Sequence, residues 1–279
     1  MTAAHPHPVA HLTPRREVGP LLRSRRERRK LSQMALALDA GVSARHLSCV
    51  ETGRARPSPE LLLALSEHLA VPLRERNTLL LAAGYAPRYT ETPLDAPDLQ
   101  AVRAALERLL AAHDPYPGVA LDRQWNVVLA NAAARRLLGL LPPHLAAAPV
   151  NMLRASLHPE GFAALTLNFD DWGRHLLHEL DRARLAADDP ALAVLADELA
   201  AYPNVAALRA AQPARPTYEE SLLIPCVLMP PGSPEGGALS LFTTQATFGS
   251  PRDVTLAELT VELFYPADAA TEAALRKYE

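Results

Sequence analysis

Between about residues 19 and 83 the apolar positions fall at helical spacing in short blocks, most of them opened by a capping residue. The first predicted helix runs from Gly19 or Pro20 to Lys30, with Leu21, Leu22 and Leu31 as apolar anchors. Ser32 caps a second through Asp39, and Ala40-Gly41-Val42 then breaks the pattern, with Gly41 placed to supply the positive φ of a tight turn. Ser43 caps a third that ends near Glu51 and is closed by Gly53. Ser58-Pro59-Glu60 opens a fourth to about Ala70, and a fifth covers Leu73 to Ala83.

Past the proline-rich stretch 86–97 the pattern resumes with a helix over Leu99–Ala112. Two strands follow, Val119–Leu121 and Trp125–Ala130, around an Asp122-Arg123-Gln124 turn. Asn131 to Leu138 is helical, and so is most of Val150 to Ala211. The last third changes period: Ser221–Met229 and Ala238–Thr244 read as strands around a Pro230–Gly237 turn. Along Leu256–Tyr265, Leu259, Val261 and Leu263 alternate with Glu258, Thr260 and Glu262, which predicts a strand with one buried and one wet face.

Composition adds bounds to this pattern. The 279 residues, 49% hydrophobic and 21% charged, suit about two domains. The pattern places a disordered lead at 1–14, an all-α five-helix bundle at 15–85 and a linker at 86–97. An α+β domain with an antiparallel sheet follows at 98–266, and a C-terminal tail at 267–279. His5, His7 and His11 in the lead read as a frayed terminus in preference to metal ligands. Two cysteines, Cys49 and Cys226, are too few for a disulfide framework and fit a reducing, cytoplasmic setting. No apolar run approaches membrane-spanning length and the start lacks a signal-peptide pattern, so no membrane partner is expected.

Charge is divided along the chain. Residues 1–90 carry 14 Lys/Arg against 7 Asp/Glu, whereas the remainder carries 14 against 24. A polyanion partner therefore belongs to the front. Five cations, Arg25, Arg26, Arg28, Arg29 and Lys30, gather at the end of the first helix, where they suit its dipole.

The second and third helices have the spacing of a DNA-reading helix-turn-helix. With Leu36, Ala37 and Ala40 packed against Val42, Leu47 and Val50, the residues Ala44, Arg45, Ser48 and Cys49 fall on the opposite face. Arg45 suits guanine O6 and N7, and Ala44 offers apolar contact. Ser48 and Cys49 are weaker readers, and Cys49 is either a redox-sensitive contact or a small tolerated side chain. Gln33, Ser43, Arg54 and Arg56 are placed to hold phosphates of double-stranded DNA. A plain helical bundle with a basic solvated face is the competing reading.

The LSQ opening, the AGVS turn, the HLS-x-x-E-x-GR exit and the PS-starting fourth helix, within residues 19 to about 85, resemble the XRE (Cro-type) family of bacterial regulators. The resemblance implies a structural role for Glu51 at the exit of the reading helix. Ala35 departs from it, standing where many relatives carry an acidic residue that completes a capping box.

In the rear, LDRQWNVVLANAAARRLLG at 121–139 is a PAS-like opening. With NMLR at 151–154, HPEGF at 158–162 and FDDWGRHLLHELDRAR at 169–184, it resembles the MmyB-like ligand-binding domain over roughly 98–266. Residues 202–220 and Pro230–Gly237 depart from that pattern. The resemblance implies a sheet and helices around a small-molecule cavity. Trp125, Phe162, Phe169 and Trp172 supply apolar surface in a chain only 5% aromatic, and Asn131 and His175 are the polar groups placed near them to orient a ligand. Each aromatic equally suits ordinary core, and Asn131 equally suits the cap of the helix that follows it.

Catalytic signatures are missing from the sequence. His175-x-x-His178-Glu179 matches neither order of the zinc peptidases and reads as a solvated helix face. There is no Gly-x-Ser-x-Gly, P-loop or dinucleotide fingerprint, and Cys226 lies in an apolar strand as buried filler. The expectation is a one-component regulator, not an enzyme, with no cofactor or metal. It would bind operator DNA as a homodimer and respond to a small apolar or amphipathic effector. The rivals are an enzyme tethered to DNA and a rear domain that only dimerises or docks proteins.

Overall fold

A computed structural model describes residues 18–187, 189–211, 223–231 and 237–277. The expected lead with its three histidines, the start of the Ser221–Met229 strand and most of the Pro230–Gly237 turn lie outside the described residues. The chain divides into two compact units, 1–90 and 91–279. The proline-rich stretch is shared between them. Asn77 Oδ1 accepts from the backbone N–H groups of Arg88 and Tyr89 in the first unit, whereas Thr92 donates twice to Asp253 Oδ2 in the second.

The first unit contains α1 (Val18–Arg28), α2 (Gln33–Asp39), α3 (Ala44–Glu51), α4 (Pro59–His68) and α5 (Leu73–Ala82). Serine oxygens cap three of them, with Ser32, Ser43 and Ser58 accepting from Ala35, His46 and Leu61. Each satisfies an amide that the helix start would otherwise leave unpaired. Gly41 sits at φ +67 in the α2–α3 turn, where a Cβ would strain the backbone. Leu22, Leu36, Ala37, Leu47, Val50, Leu62 and Leu65 form one core, with Ala40 and Val42 against it. The α2–α3 packing is the expected one.

The cations at the end of α1 act as staples. Arg26 turns inward to Glu51, Arg25 meets Glu75 at 2.5 Å, and Arg29 donates to the Leu69 carbonyl at 3.0 Å. Helix α1 lies so close to the end of α3 that a Cβ on Gly19 would be 2.6 Å from the carbonyl oxygens of Val50 and Glu51.

The second unit begins with α6 (Gln100–Ala112), β1 (Gly118–Leu121), β2 (Val127–Ala130), α7 (Ala132–Leu138), α8 (Pro143–Ala146) and α9 (Met152–Leu157). It continues through α10 (Phe169–Ala186), α11 (Pro190–Ala200), α12 (Pro203–Ala210), β3 (Cys226–Leu228) and β4 (Leu239–Thr247). It ends with α13 (Val254–Glu258), β5 (Thr260–Pro266) and α14 (Ala269–Arg276). The strands form an antiparallel sheet in the order β2-β1-β5-β4-β3. This is the α+β arrangement expected.

Three local readings change. The run expected as one strand from Leu256 opens as helix α13, because Asp253 Oδ1 accepts from the amides of Thr255 and Leu256 and starts a helical turn. Cys226–Leu228 is shorter than the strand expected over Ser221–Met229, since Pro225 has no amide to enter the ladder. Residues 267–279, read as a tail, carry α14, whose Leu275 is buried in a core with Leu239 and Leu241.

Both faces of the sheet are packed around β1 and the first half of β4, whereas residues 244–247 of β4 stay exposed. Ala120, Val261 and Leu263 pack with Leu106 and Leu110 of α6. On the other face Val119 and Glu262 stand opposite one another across β1 and β5, and Glu262 stands opposite Gln245 of β4. That face looks toward α7, α9 and α10, with a cavity between. Glu262 is half-buried there and Gln245 beside it is exposed, so the polar face that alternation suggested is partly a cavity wall and partly open to solvent. Alternation separates two environments without saying that the more polar one is water.

Candidate functional site

In the first unit the described arrangement brings the expected reading residues onto α3. Arg45 is exposed, Ser48 and Cys49 are half-buried, and Ala44 is half-buried against the core. Ser43 is exposed and its hydroxyl oxygen serves as the α3 cap. Arg54 is exposed just beyond α3. Arg45 on α3 and Arg54 just beyond it are thus cations open to solvent.

Two of the residues expected to hold phosphates also have partners within the first unit. Gln33 donates to Glu51 Oε2 at 2.7 Å. Arg56 donates to the Ala83 carbonyl at 2.9 Å and the Gly84 carbonyl at 3.3 Å, and its guanidinium lies 4.4 Å from the centre of the Tyr85 ring. Position along the chain marked both residues and charge marked Arg56, but neither property predicts a partner 18 residues away for Gln33 or 27 for Arg56.

In the second unit, α7, α9, α10 and the sheet enclose a cavity of about 70 Å³. Four of the six residues expected there line it: Trp125, Phe162, Trp172 and His175. Trp172 and His175 sit one turn apart on α10 with ring centres at 5.2 Å. Burial lowers the His175 pKa and favours the neutral ring. Trp125 holds a left-handed φ of +63, fixed by its own amide bonding to the Asp122 carbonyl and by its carbonyl accepting from Met152. Asn151 steadies the same turn through the Gln124 carbonyl at 2.6 Å.

The other two expected residues are placed elsewhere. Phe169 packs against the core of α9 to α12. Asn131 is buried and fully used: Oδ1 accepts from the amides of Ala134 and Gly118, and Nδ2 donates to the carbonyls of Leu110 and Tyr116. It caps α7 and joins α6 to β1, and so holds the cavity's frame without lining it.

Sequence reading missed Glu179, Gln245 and Glu262, which also line the cavity. Glu179 lies four residues after His175, so its place on the same stripe of α10 was legible in the spacing. Burial lifts the Glu262 carboxyl to about 7, with the Thr243 hydroxyl pulling it down and Glu179 adding to the rise. Cys226 also faces the cavity, and burial pushes its thiol up to about 12, which keeps it protonated and unreactive.

Among the described residues one group has metal-ligand chemistry, His144, His158 and Glu160, whose ligand atoms lie within 4.8 Å of one another. It is largely open to solvent, and the Glu160 amide already donates to His158 Nδ1. No single helix among the described residues is long and apolar enough to cross a membrane.

Among curated proteins no relative matches. Among solved structures, that of an RNA-binding light-oxygen-voltage receptor aligns at 13% identity and a TM-score of 0.26. The alignment covers 94% of this chain and 62% of the receptor, so the chain spans less than two thirds of that protein. A likeness so distant carries no argument. A helix-turn-helix domain model matches residues 17–79, and a model of the MmyB-like transcription regulator ligand binding domain matches residues 102–277. Neither is a family of enzymes. Together they mark a DNA-binding transcription regulator that carries a ligand-binding domain. Since the second model covers more than half of its length, the chain belongs to the MmyB-like transcription regulator ligand binding domain family.

Proposed function

We propose that the protein is a one-component regulator in which a small, largely apolar or amphipathic molecule in the second unit alters operator binding by the first. The observation that carries this reading is the joint presence, in one chain, of an exposed Arg45 on a helix-turn-helix and a cavity in a ligand-binding domain. Arg45 reads a base, with Ala44, Ser48 and Cys49 beside it, and Ser43 and Arg54 hold phosphates. The protein acts as a homodimer on two half-sites, about 34–36 Å apart when they fall on one turn of DNA. For the occupant to regulate, it must bind one state of the protein more tightly than another, since equal affinity shifts nothing.

The test is selection of bound sequences from random DNA by the full-length chain. Native mass spectrometry of the same sample, with and without denaturation, accompanies it. A two-fold symmetric consensus, together with a retained mass that is released on denaturation and changes DNA affinity when restored, supports the reading. A consensus with no retained mass and no stabilising small molecule would instead leave the second unit as a dimerisation or docking module.

A further inference from the structure

Away from the cavity, a second cluster of polar groups forms where α8 meets the exit of α9. His144 lies on α8, His158 directly follows α9, and Glu160 is two residues further on. Gly161 makes the meeting possible. A Cβ there would run into the Ala155 carbonyl oxygen and come within 3.1 Å of Leu145 Cδ1. Leu145 packs into the core that holds Ala155 and Phe162, and its neighbour His144 is thereby brought to the chain beyond α9.

The three side chains are close enough to share one ion. His144 Nε2 is 3.5 Å from Glu160 Oε2, and the ligand atoms of all three residues lie within 4.8 Å of one another. Two imidazoles and a carboxylate are a donor set that zinc takes, with bonds of about 2.0–2.1 Å that put tetrahedral ligand atoms about 3.3 Å apart. The His144–Glu160 pair is nearly at that spacing. Rotation of these two exposed side chains toward His158 closes the remainder. His158 is half-buried, and its ring meets His144 and Tyr202 edge-on, with centres at 5.3 and 4.9 Å. Both histidines also line a groove, which leaves room for water as a further ligand. Arg154 in that groove is paired with Glu198 through two bonds of 2.7 Å, so its charge is already balanced.

One existing bond has to give way. A neutral imidazole has a single lone pair, and that of His158 Nδ1 accepts from the Glu160 amide at 3.1 Å. An ion on Nδ1 takes that lone pair directly, and an ion on Nε2 makes Nδ1 the N–H of the ring. Either way the amide loses its acceptor. It is exposed, so water replaces the ring.

We propose that His144, His158 and Glu160 bind a divalent ion of the zinc type, completed by water, which ties α8 to the exit of α9. The site is separate from the ligand cavity, and the proposal stands or falls independently of what the cavity holds.

The experiment titrates the full-length chain with cobalt(II), then displaces it with zinc(II). The chain carries His5→Ala, His7→Ala and His11→Ala, which remove the histidine cluster at the start of the sequence. One cobalt per chain is expected, with the visible absorption of a tetrahedral complex, and the Glu160 amide resonance shifts in the same titration. His144→Ala, His158→Ala and Glu160→Gln, each added to that background, are expected to weaken zinc binding about tenfold or more, at least what loss of an outer-shell partner costs. Melting of the metal-free chain confirms that each variant is folded. Should His158→Ala fail to fold, the two variants at exposed positions and the Glu160 amide decide. Absence of binding in this background overturns the proposal. So does undiminished binding in the variants, or a Glu160 amide that does not move at saturation.

Discussion

Arg26 and Glu51 meet in a two-pronged ion pair, with Nε to Oε1 at 2.7 Å and Nη2 to Oε2 at 2.9 Å, that clamps the first helix to the exit of the reading helix. Arg26 also donates to the Leu31 carbonyl, and Gln33 completes the carboxylate. Both partners are buried, at 8% and 4% exposure, so each depends on the other for its charge to be tolerated. Glu51 thus has in the structure the role that family resemblance implied for it.

Removing one partner strands the other. Arg26→Ala or Glu51→Ala is expected to destabilise the first unit by about 3–5 kcal/mol, whereas the double change Arg26→Met, Glu51→Leu costs less than either. Urea denaturation of the three variants checks this, and a double variant that loses as much as the two singles combined would refute the coupling. The pair also has a pH signature. Burial would raise the Glu51 carboxyl, but Arg26 and Gln33 more than offset it and hold the pKa below its usual 4.5. The contribution is therefore present above about pH 4.5 and is lost as pH falls through the depressed value.

The three arginines at and beyond α3 are expected to fail differently. Arg45→Ala should cost about 1–3 kcal/mol at the selected operator and relax preference at one base pair. Arg54→Ala should weaken all DNA alike and reduce the salt slope by about one. Arg56→Ala should lower the thermal midpoint of the first unit while leaving the salt slope unchanged, because that guanidinium is held by Ala83, Gly84 and Tyr85. Salt titrations and melting curves separate the three outcomes.

Asn131→Ala removes four hydrogen bonds at once, the α7 cap among them, and about 3 kcal/mol of stability is expected to go with them. Affinity of the folded fraction for the occupant should stay within about twofold, since the side chain frames the cavity without touching its content. A larger loss of affinity at full folding would return Asn131 to the cavity wall.

The Glu262 carboxyl, lifted from 4.5 to about 7, has the opposite pH signature to Glu51. A raised acid binds its proton better in the folded state, so stability present at pH 4.5 is lost as pH rises through 7. His175, lowered by burial, works against this in part of the same window. The faces around Glu262 also bring Glu179 from α10, Gln245 from β4 and Cys226 from β3. The clean measure is the difference between wild type and Glu262→Gln: about 2–3 kcal/mol of slope between pH 5 and pH 8, read by urea midpoints without added occupant. Equal slopes in the two proteins would refute it.

How much of this was legible depended on sequence distance. The serine caps, Gly41 and the α2–α3 packing were readable because each is settled within a few residues. Trp125, Phe162, Trp172 and His175 were identified as cavity candidates on side-chain type and a resemblance, and the cavity is lined by all four. The role of Arg26 was hidden because its partner lies 25 residues on, and a cation at a helix end has an adequate local account in the dipole. Glu262 was hidden for a related reason. The helices that cover its face precede it by some 80 residues or more, and nothing in an alternating strand announces them. Asn131 and Phe169 show the converse, since residue type suited a ligand while local geometry had already claimed them.

Strand β5 is a partition, with hydrocarbon core on one side and the cavity on the other. Its residues therefore carry two incompatible assignments in alternate positions. A slip of one residue against β1 or β4 would drive Glu262 into the packing of α6 and bring Val261 and Leu263 into the cavity. Mispairing is thus penalised twice, once by an ion without water and once by a recognition surface turned to grease. The register that folds is also the register that can recognise.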